Sequence, residues 1–237
     1  MQMACGDGSA WSGRAARTVY ACDIGSTIQN NFGWAGFEAT NGQPVGSRNI
    51  RALANRIAVD LKGKKSVAFG IESPCFLPVP LDVGDLSAAR AGEGDRAWSA
   101  PVGAAVATLG IHQTAWILRR VREALRAVPD ALSFTTNWAH WPPSGGQVFL
   151  LYEAFVSGAA HDRDNDPVRD AATAASFFLE NEGKLGAINA VTAAPCISLA
   201  WAAALWAGWV TDLAGLANGL LVVRPAARYD GPLGVIG

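Results

Sequence analysis

Three short apolar runs in this chain each end in a carboxylate: Thr18-Val19-Tyr20-Ala21-Cys22-Asp23, Ser66-Val67-Ala68-Phe69-Gly70-Ile71-Glu72, and Gln147 to Tyr152 followed by Glu153. A carboxylate at the end of an apolar strand is costly unless it is hydrogen-bonded, paired or bound to a cation. A second acid-rich stretch runs from His161 through Asp162, Asp164, Asp166 and Asp170. Carboxylates brought together at one edge demand a divalent cation or a shared proton. Asp23, Glu72 and Asp170 are the residues expected to form that cluster, with Glu153 and Asp166 as further candidate metal ligands. Asp162, Asp164 and His161 are nearby alternatives for the C-terminal ligand.

The elements that would position these acids follow from periodicity. In the first run Val19, Ala21 and Asp23 share one strand face and Tyr20, Cys22 and Ile24 the other. Both faces are largely apolar, as in a strand covered on both sides. Gly25 permits a sharp turn after the carboxylate. Residues 32–38 read as a second strand, with Phe32 and Trp34 on one face and Phe37 on the other. Asn41-Gly42 is a hairpin signal leading to a short third strand near Pro44 to Gly46. Ile50, Leu53, Ala54, Ile57 and Leu61 then fall at helical spacing behind Ser47 or Asn49 as cap. Lys62, Lys64 and Lys65 suit that helix's C-terminus.

Ser73-Pro74 ends the Glu72 strand, and residues 73–101 form a loop-rich insert of the kind that covers binding sites. Ile111, Ala115, Leu118, Val121 and Leu125 line one face of a long helix. Arg119, Arg120, Arg122 and Arg126 lie opposite, as a solvated face. Residues 131–135 read as a strand. Residues 137–147 read as a flap whose Trp138 and Trp141 either pack under the loop or stack on bases. Asp166-Pro167 is a helix start, with aspartate as N-cap and proline at the first position. Ala171, Ala172, Ala174 and Ala175 let that helix approach the sheet closely and carry Asp170 over the strand ends. A buried helix around residues 197–210 and a terminal strand at residues 220–225 complete the pattern.

Composition bounds the rest. A chain of 237 residues, half of them hydrophobic and 16% charged, supports a large core. A net charge of -1 gives no general nucleic-acid signature. Residues 1–17 are rich in Gly, Ser and Ala and lack an apolar signal region, so a disordered lead-in is expected. No charged residue stands between Lys184 and Asp212. Pro195 interrupts that stretch, so a buried helix is expected over a membrane span. Cys5, Cys22, Cys75 and Cys196 show no metal-finger or paired spacing, which fits reduced thiols in a cytoplasmic protein.

The order strand, hairpin, helix, strand, helix, strand, helix, with Asp23-Ile24-Gly25, Ile71-Glu72-Ser73-Pro74 and Asp170-Ala171-Ala172-Thr173-Ala174-Ala175, resembles the ribonuclease H-like superfamily. The likeness is to its resolvase-like branch and to bacterial families of predicted ribonuclease H-like nucleases, over roughly residues 19–178. The resemblance implies an α/β fold with a mixed five-stranded sheet flanked by helices. It implies one domain over residues 18–237, with the insert 73–101 and a C-terminal helical extension 185–237. It also implies a nuclease using two Mg²⁺ or Mn²⁺ ions, with Asp23 bridging them, Glu72 and Asp170 on either side, and Glu153 or Asp166 outside. Oxygen ligands suit these hard cations over zinc. The partner implied is DNA or RNA. Asp23-Ile24-Gly25-Ser26-Thr27 also resembles the first phosphate motif of the actin-like and sugar-kinase superfamily, which would imply ATP binding. A non-catalytic scaffold working through the Trp138–Trp141 loop is the third expectation.

Overall fold

The Asp23 strand is the middle of a mixed sheet. The computed structural model describes residues 16–39, 43–127 and 131–236. In it β1 (Arg17–Asp23) pairs antiparallel with β2 (Gly33–Glu38), and β2 with β3 (Val45–Ser47). The expected Asn41-Gly42 hairpin turn and most of the lead-in lie outside the described residues. Arg17, placed in the lead-in by composition, instead opens β1 and is buried. Helix α1 (Ile50–Lys62) starts where Asn49 accepts from the Arg51 and Ala52 N–H groups, a side-chain N-cap. It returns the chain to β4 (Ser66–Glu72), which lies parallel to β1 on the side away from β2.

The insert carries β5 (Phe76–Pro78) and runs into α2 (Pro101–Leu125), a long helix with proline at its first position. Strands β6 (Leu132–Thr135) and β7 (Gln147–Ala154) follow, with β7 parallel to both β4 and β6. Then come α3 (Pro167–Glu180), β8 (Cys196–Ser198), α4 (Leu199–Ala207), β9 (Val222–Val223) and β10 (Gly234–Val235). The strand order is β10-β3-β2-β1-β4-β7-β6, with β9 also on β7.

The sheet divides two cores. On one side Tyr20, Cys22, Trp34, Phe69 and Phe149 pack against Leu53 and Ile57 of α1, Ile117 and Val121 of α2, and the alanines of α4. On the other, Val19, Ala21, Ala68, Leu150 and Tyr152 pack against Ala171, Ala172, Ala174, Ala175 and Phe178 of α3. The strand-face assignments for residues 19–24 and for Phe32, Trp34 and Phe37 agree with this division.

Two expectations about the fold need correction. Among the described residues the main sheet has eight strands, not five. Strands β6 and β9 fall where residues 131–135 and 220–225 read as strands, and β10 is a two-residue pairing too short to leave an alternating pattern. The C-terminal extension is not mainly helical: among the described residues after 185 the only α-helix is α4, capped by Ser198 and ended by Gly208 in the left-handed region at φ 77°. Of its remaining chain, β9 and β10 return to the main sheet. Strand β8 pairs with β5 of the insert in a separate two-stranded sheet. No described helix is long and apolar enough to cross a membrane. Cys22, Cys75 and Cys196 are free and buried, and burial pushes their thiols above the usual range.

Candidate acidic site at the strand ends

Asp23 and Glu72 are the last residues of two neighbouring parallel strands, and register pairs them directly. Adjacent strands lie about 4.8 Å apart, so the two carboxylates leave the sheet side by side. Both belong to the face that α3 covers, because Val19 and Ala21 precede Asp23 on that face and Ala68 and Gly70 precede Glu72.

Residue size brings the third acid in. Across β2, Asp23 is opposite Gly33. A Cβ on Gly33 would stand 2.4 Å from the Pro167 carbonyl carbon and 2.5 Å from the Val168 nitrogen. The first turn of α3 therefore rests on bare backbone beside Asp23. Four buried alanines continue the close approach. Asp170, one turn into the helix and 1% exposed, lies near enough for its charge to act on both carboxylates.

The electrostatics register this convergence. Burial first, and the Asp170 charge second, raise Asp23 to a pKa of about 7, while His161 opposes the shift. Glu72 is held well above the usual carboxylate range by burial, then by Asp23 and Asp170; the Val156 backbone N–H and Arg96 act the other way. Burial raises Asp170 as well, against the hydrogen bond from the Asp162 N–H and the nearby His161. The Asp162 N–H donates to Asp170 Oδ1 at 2.7 Å, and His161 Nδ1 lies 2.5 Å from Asp170 Oδ2. The far nitrogen of the imidazole is 3.0 Å from Asn165 Oδ1. Glu72 Oε2 is buried and has no hydrogen-bond partner among the described residues.

The other predicted ligands do different work. Glu153 is opposite Ile71, one residue before Glu72, and that single-residue offset turns it to the opposite sheet face. There it accepts from both Arg90 Nη atoms at 2.8 and 2.7 Å and from the Cys75 N–H at 2.8 Å. Arg90 and Glu93, both 1% exposed at the side chain, complete a buried ionic cluster. Asp166 caps α3 through the Val168 N–H and pairs with Arg48 at 3.0 Å. Asp162 orders the loop, since its Oδ2 accepts from the Asp164 and Asp166 N–H groups. Glu153 and Asp166 are therefore removed from the ligand set, and Asp170 is the acid of the 162–170 stretch that meets the pair.

A cavity of about 480 Å³ opens outside the carboxyl ends of β1, β4 and β7, where open α/β sheets generally bind ligands. Asp23, Glu72 and Arg96 line it with the first turns of α2, and the insert roofs it. The tryptophan flap lies elsewhere. Trp141 is buried, with its ring 6.0 Å from that of Phe178, so it is packing and not a stacking platform. Arg119 and Arg120 are exposed and paired with Glu123. The Gly25-Ser26-Thr27 turn is folded on itself: the Asn31 carbonyl occupies the space beside Gly25, and Ser26 Oγ accepts from Gln29.

Residue chemistry supports a hard cation here, because the donors are carboxylates and one buried oxygen lacks a partner. Among the described residues, no three His, Cys, Asp or Glu side chains enclose a single ion position as the rotamers stand. The charges that face one another are Asp23 and Glu72, with Asp170 as the next carboxylate acting on both. Sequence reasoning missed Arg90, Glu93 and Arg96. All three lie on the insert, whose lack of periodicity hides that Arg90 and Glu93 are buried while Arg96 stays exposed. Together the fold and site define a mixed α/β protein with an acidic cluster at the ends of its parallel strands. No protein-family model, curated protein or solved structure matches the chain.

Proposed function

We propose that the chain is a metal-dependent phosphodiester hydrolase, a nuclease with a ribonuclease H-like core. The observation that carries this reading is the register pairing of Asp23 with Glu72, with Asp170 brought over both by α3. The strand order β3-β2-β1-β4-β7, antiparallel then parallel, supports the same core.

Asp23, Glu72 and Asp170 would hold Mg²⁺ or Mn²⁺. These ions supply positive charge to a phosphoryl group and a nucleophile at neutral pH. The protein's own groups do the remaining work. Asp23 and Glu72 are preorganised by the sheet, so no rotamer search in a loop precedes binding. His161 and the Asp162 N–H fix the two oxygens of Asp170. Burial raises the proton affinity of all three acids, so cation binding would displace protons.

Calorimetric titration of Mn²⁺ into wild type and Asp23→Asn tests this reading. The expected result is binding of about two ions, lost in the variant, together with Mn²⁺-dependent hydrolysis of a phosphodiester. Unchanged binding and hydrolysis in Asp23→Asn would sink it.

A further inference from the structure

The roof over Asp23 and Glu72 is fixed to the sheet. Arg90, on the insert, uses every N–H of its guanidinium: Nε and Nη2 donate to Glu93, both Nη atoms to Glu153, and Nη1 to the Phe76 carbonyl at 3.3 Å. The guanidinium carbon also lies 4.7 Å from the centre of the Phe76 ring. A second tie holds the insert from outside, where the Ala91 and Thr192 backbones exchange hydrogen bonds at 3.0 and 2.9 Å. The carboxylates therefore open into a cavity that the insert covers in part. At about 480 Å³ its size is that of sites for small ligands, which run from about 300 to 1,000 Å³. A duplex, whose major groove alone is about 12 Å wide, does not enter such a space.

The lining has two characters. Its floor is acidic at Asp23 and Glu72, and Asp95 and the Arg90–Glu93–Glu153 cluster also line it. Its wall is apolar, built by Ala97, Val102, Val106 and Phe155. Arg96, an exposed side chain, also lines it. An anionic group suits the floor only with cations present. A flat, weakly polar ring suits the wall.

Resting on the nuclease reading above, we propose that this cavity takes a single nucleotide unit. Its phosphate lies over Asp23 and Glu72 with Arg96 beside it, and its base lies against Val102 and Val106. The unit is either a free nucleotide or the terminal residue of a strand; the same chemistry recognises both. A bond in the interior of a duplex is excluded as substrate.

The test uses the full chain and reads binding. Mn²⁺ is titrated alone, then dTMP in the presence of Mn²⁺, into wild type and Val106→Trp, which fills the wall. The expected result is saturable dTMP binding by wild type, weakened about tenfold or more in the variant, with Mn²⁺ binding equal in both. Should Val106→Trp fail to fold, Val102→Asp at an exposed position replaces it. Competition by a linear single strand but not by a closed circular one assigns the site to strand ends; competition by neither assigns it to free nucleotides. Equal dTMP binding in both proteins, no dTMP binding by wild type, or competition by the closed circle overturns the proposal. Failure of the nuclease reading is seen separately, as absence of Mn²⁺ binding in the first titration.

Discussion

Asp23 and Glu72 stand directly opposite each other at the ends of two parallel strands, both largely withdrawn from water. In the metal-free protein this arrangement costs stability. An aspartate in the unfolded chain titrates near 3.9, whereas Asp23 in the fold is raised to about 7. Between those values the folded state binds more protons than the unfolded one, so this group's contribution to stability falls as pH rises from about 4 to about 7 and is flat above. Metal-free protein should melt at a lower temperature at pH 8 than at pH 5. Asp23→Asn should flatten that difference and melt higher than wild type at pH 8, by about 2–4 °C for each kcal/mol recovered. Equal melting temperatures at pH 8 would show that the buried charge is compensated in some other way.

His161 acts on the same equilibrium from outside. It lowers the proton affinity of both Asp23 and Asp170. Cations compete with protons for these oxygens. His161→Ala should therefore shift the pH midpoint of Mn²⁺ binding upward while leaving the number of bound ions unchanged. A midpoint that stays put, followed by calorimetry across pH, would limit His161 to ordering its loop.

Glu153 and Glu72 look alike in sequence and should behave oppositely. Glu72→Gln is expected to abolish Mn²⁺ binding, and Glu153→Gln to preserve it. The Glu153 side instead governs stability. Arg90→Met leaves Glu93 and Glu153 buried without a counter-charge, and losses from such broken pairs run to about 3–5 kcal/mol. Chemical denaturation of the two variants separates the roles. Loss of Mn²⁺ binding in a folded Glu153→Gln protein would return Glu153 to the ligand set.

Gly33→Ala probes the helix that carries Asp170. The added methyl meets the Pro167 and Val168 backbone, which cannot rotate away. Overpacking of this kind costs about 1–3 kcal/mol. The α3 end should lift, so Mn²⁺ affinity should fall along with the melting temperature. An equivalent change at Gly145, where a Cβ meets nothing within 4 Å, should leave Mn²⁺ affinity unaltered.

Much of this site is legible in the sequence because it rests on local rules. Apolar runs ending at Asp23 and Glu72 announce strands, and Asp166-Pro167 followed by alanines announces a helix able to sit close to them. What the sequence does not carry is register. Whether Glu153 aligns with Glu72 or with Ile71 is a matter of one residue. That residue decides the face, and β7 is apolar on both faces, so its pattern contains no clue. The insert is opaque for a related reason. Arg90 and Glu93 look like surface charges until β5 and the turn at residues 90–93 are seen against Glu153. The two-residue strand β10 leaves no periodic trace at all, whereas β9 lies within the apolar run at residues 220–225 that reads as a terminal strand.

The cluster also has a place in time. Its acids come from β1, β4 and α3, segments far apart in the chain, and at this end α3 is held over the sheet by the close backbone approach at Gly33, by buried Val168 and by the exposed pair of Asp166 with Arg48. Like charges gather only when the last of these pieces docks, so repulsion among Asp23, Glu72 and Asp170 is felt at the end of folding and relieved at the start of unfolding. A cation that satisfies them acts on the same moment. Added Mn²⁺ should slow the unfolding limb of a chevron and leave the refolding limb nearly untouched. The metal would then set how long the folded chain persists and not how quickly it forms.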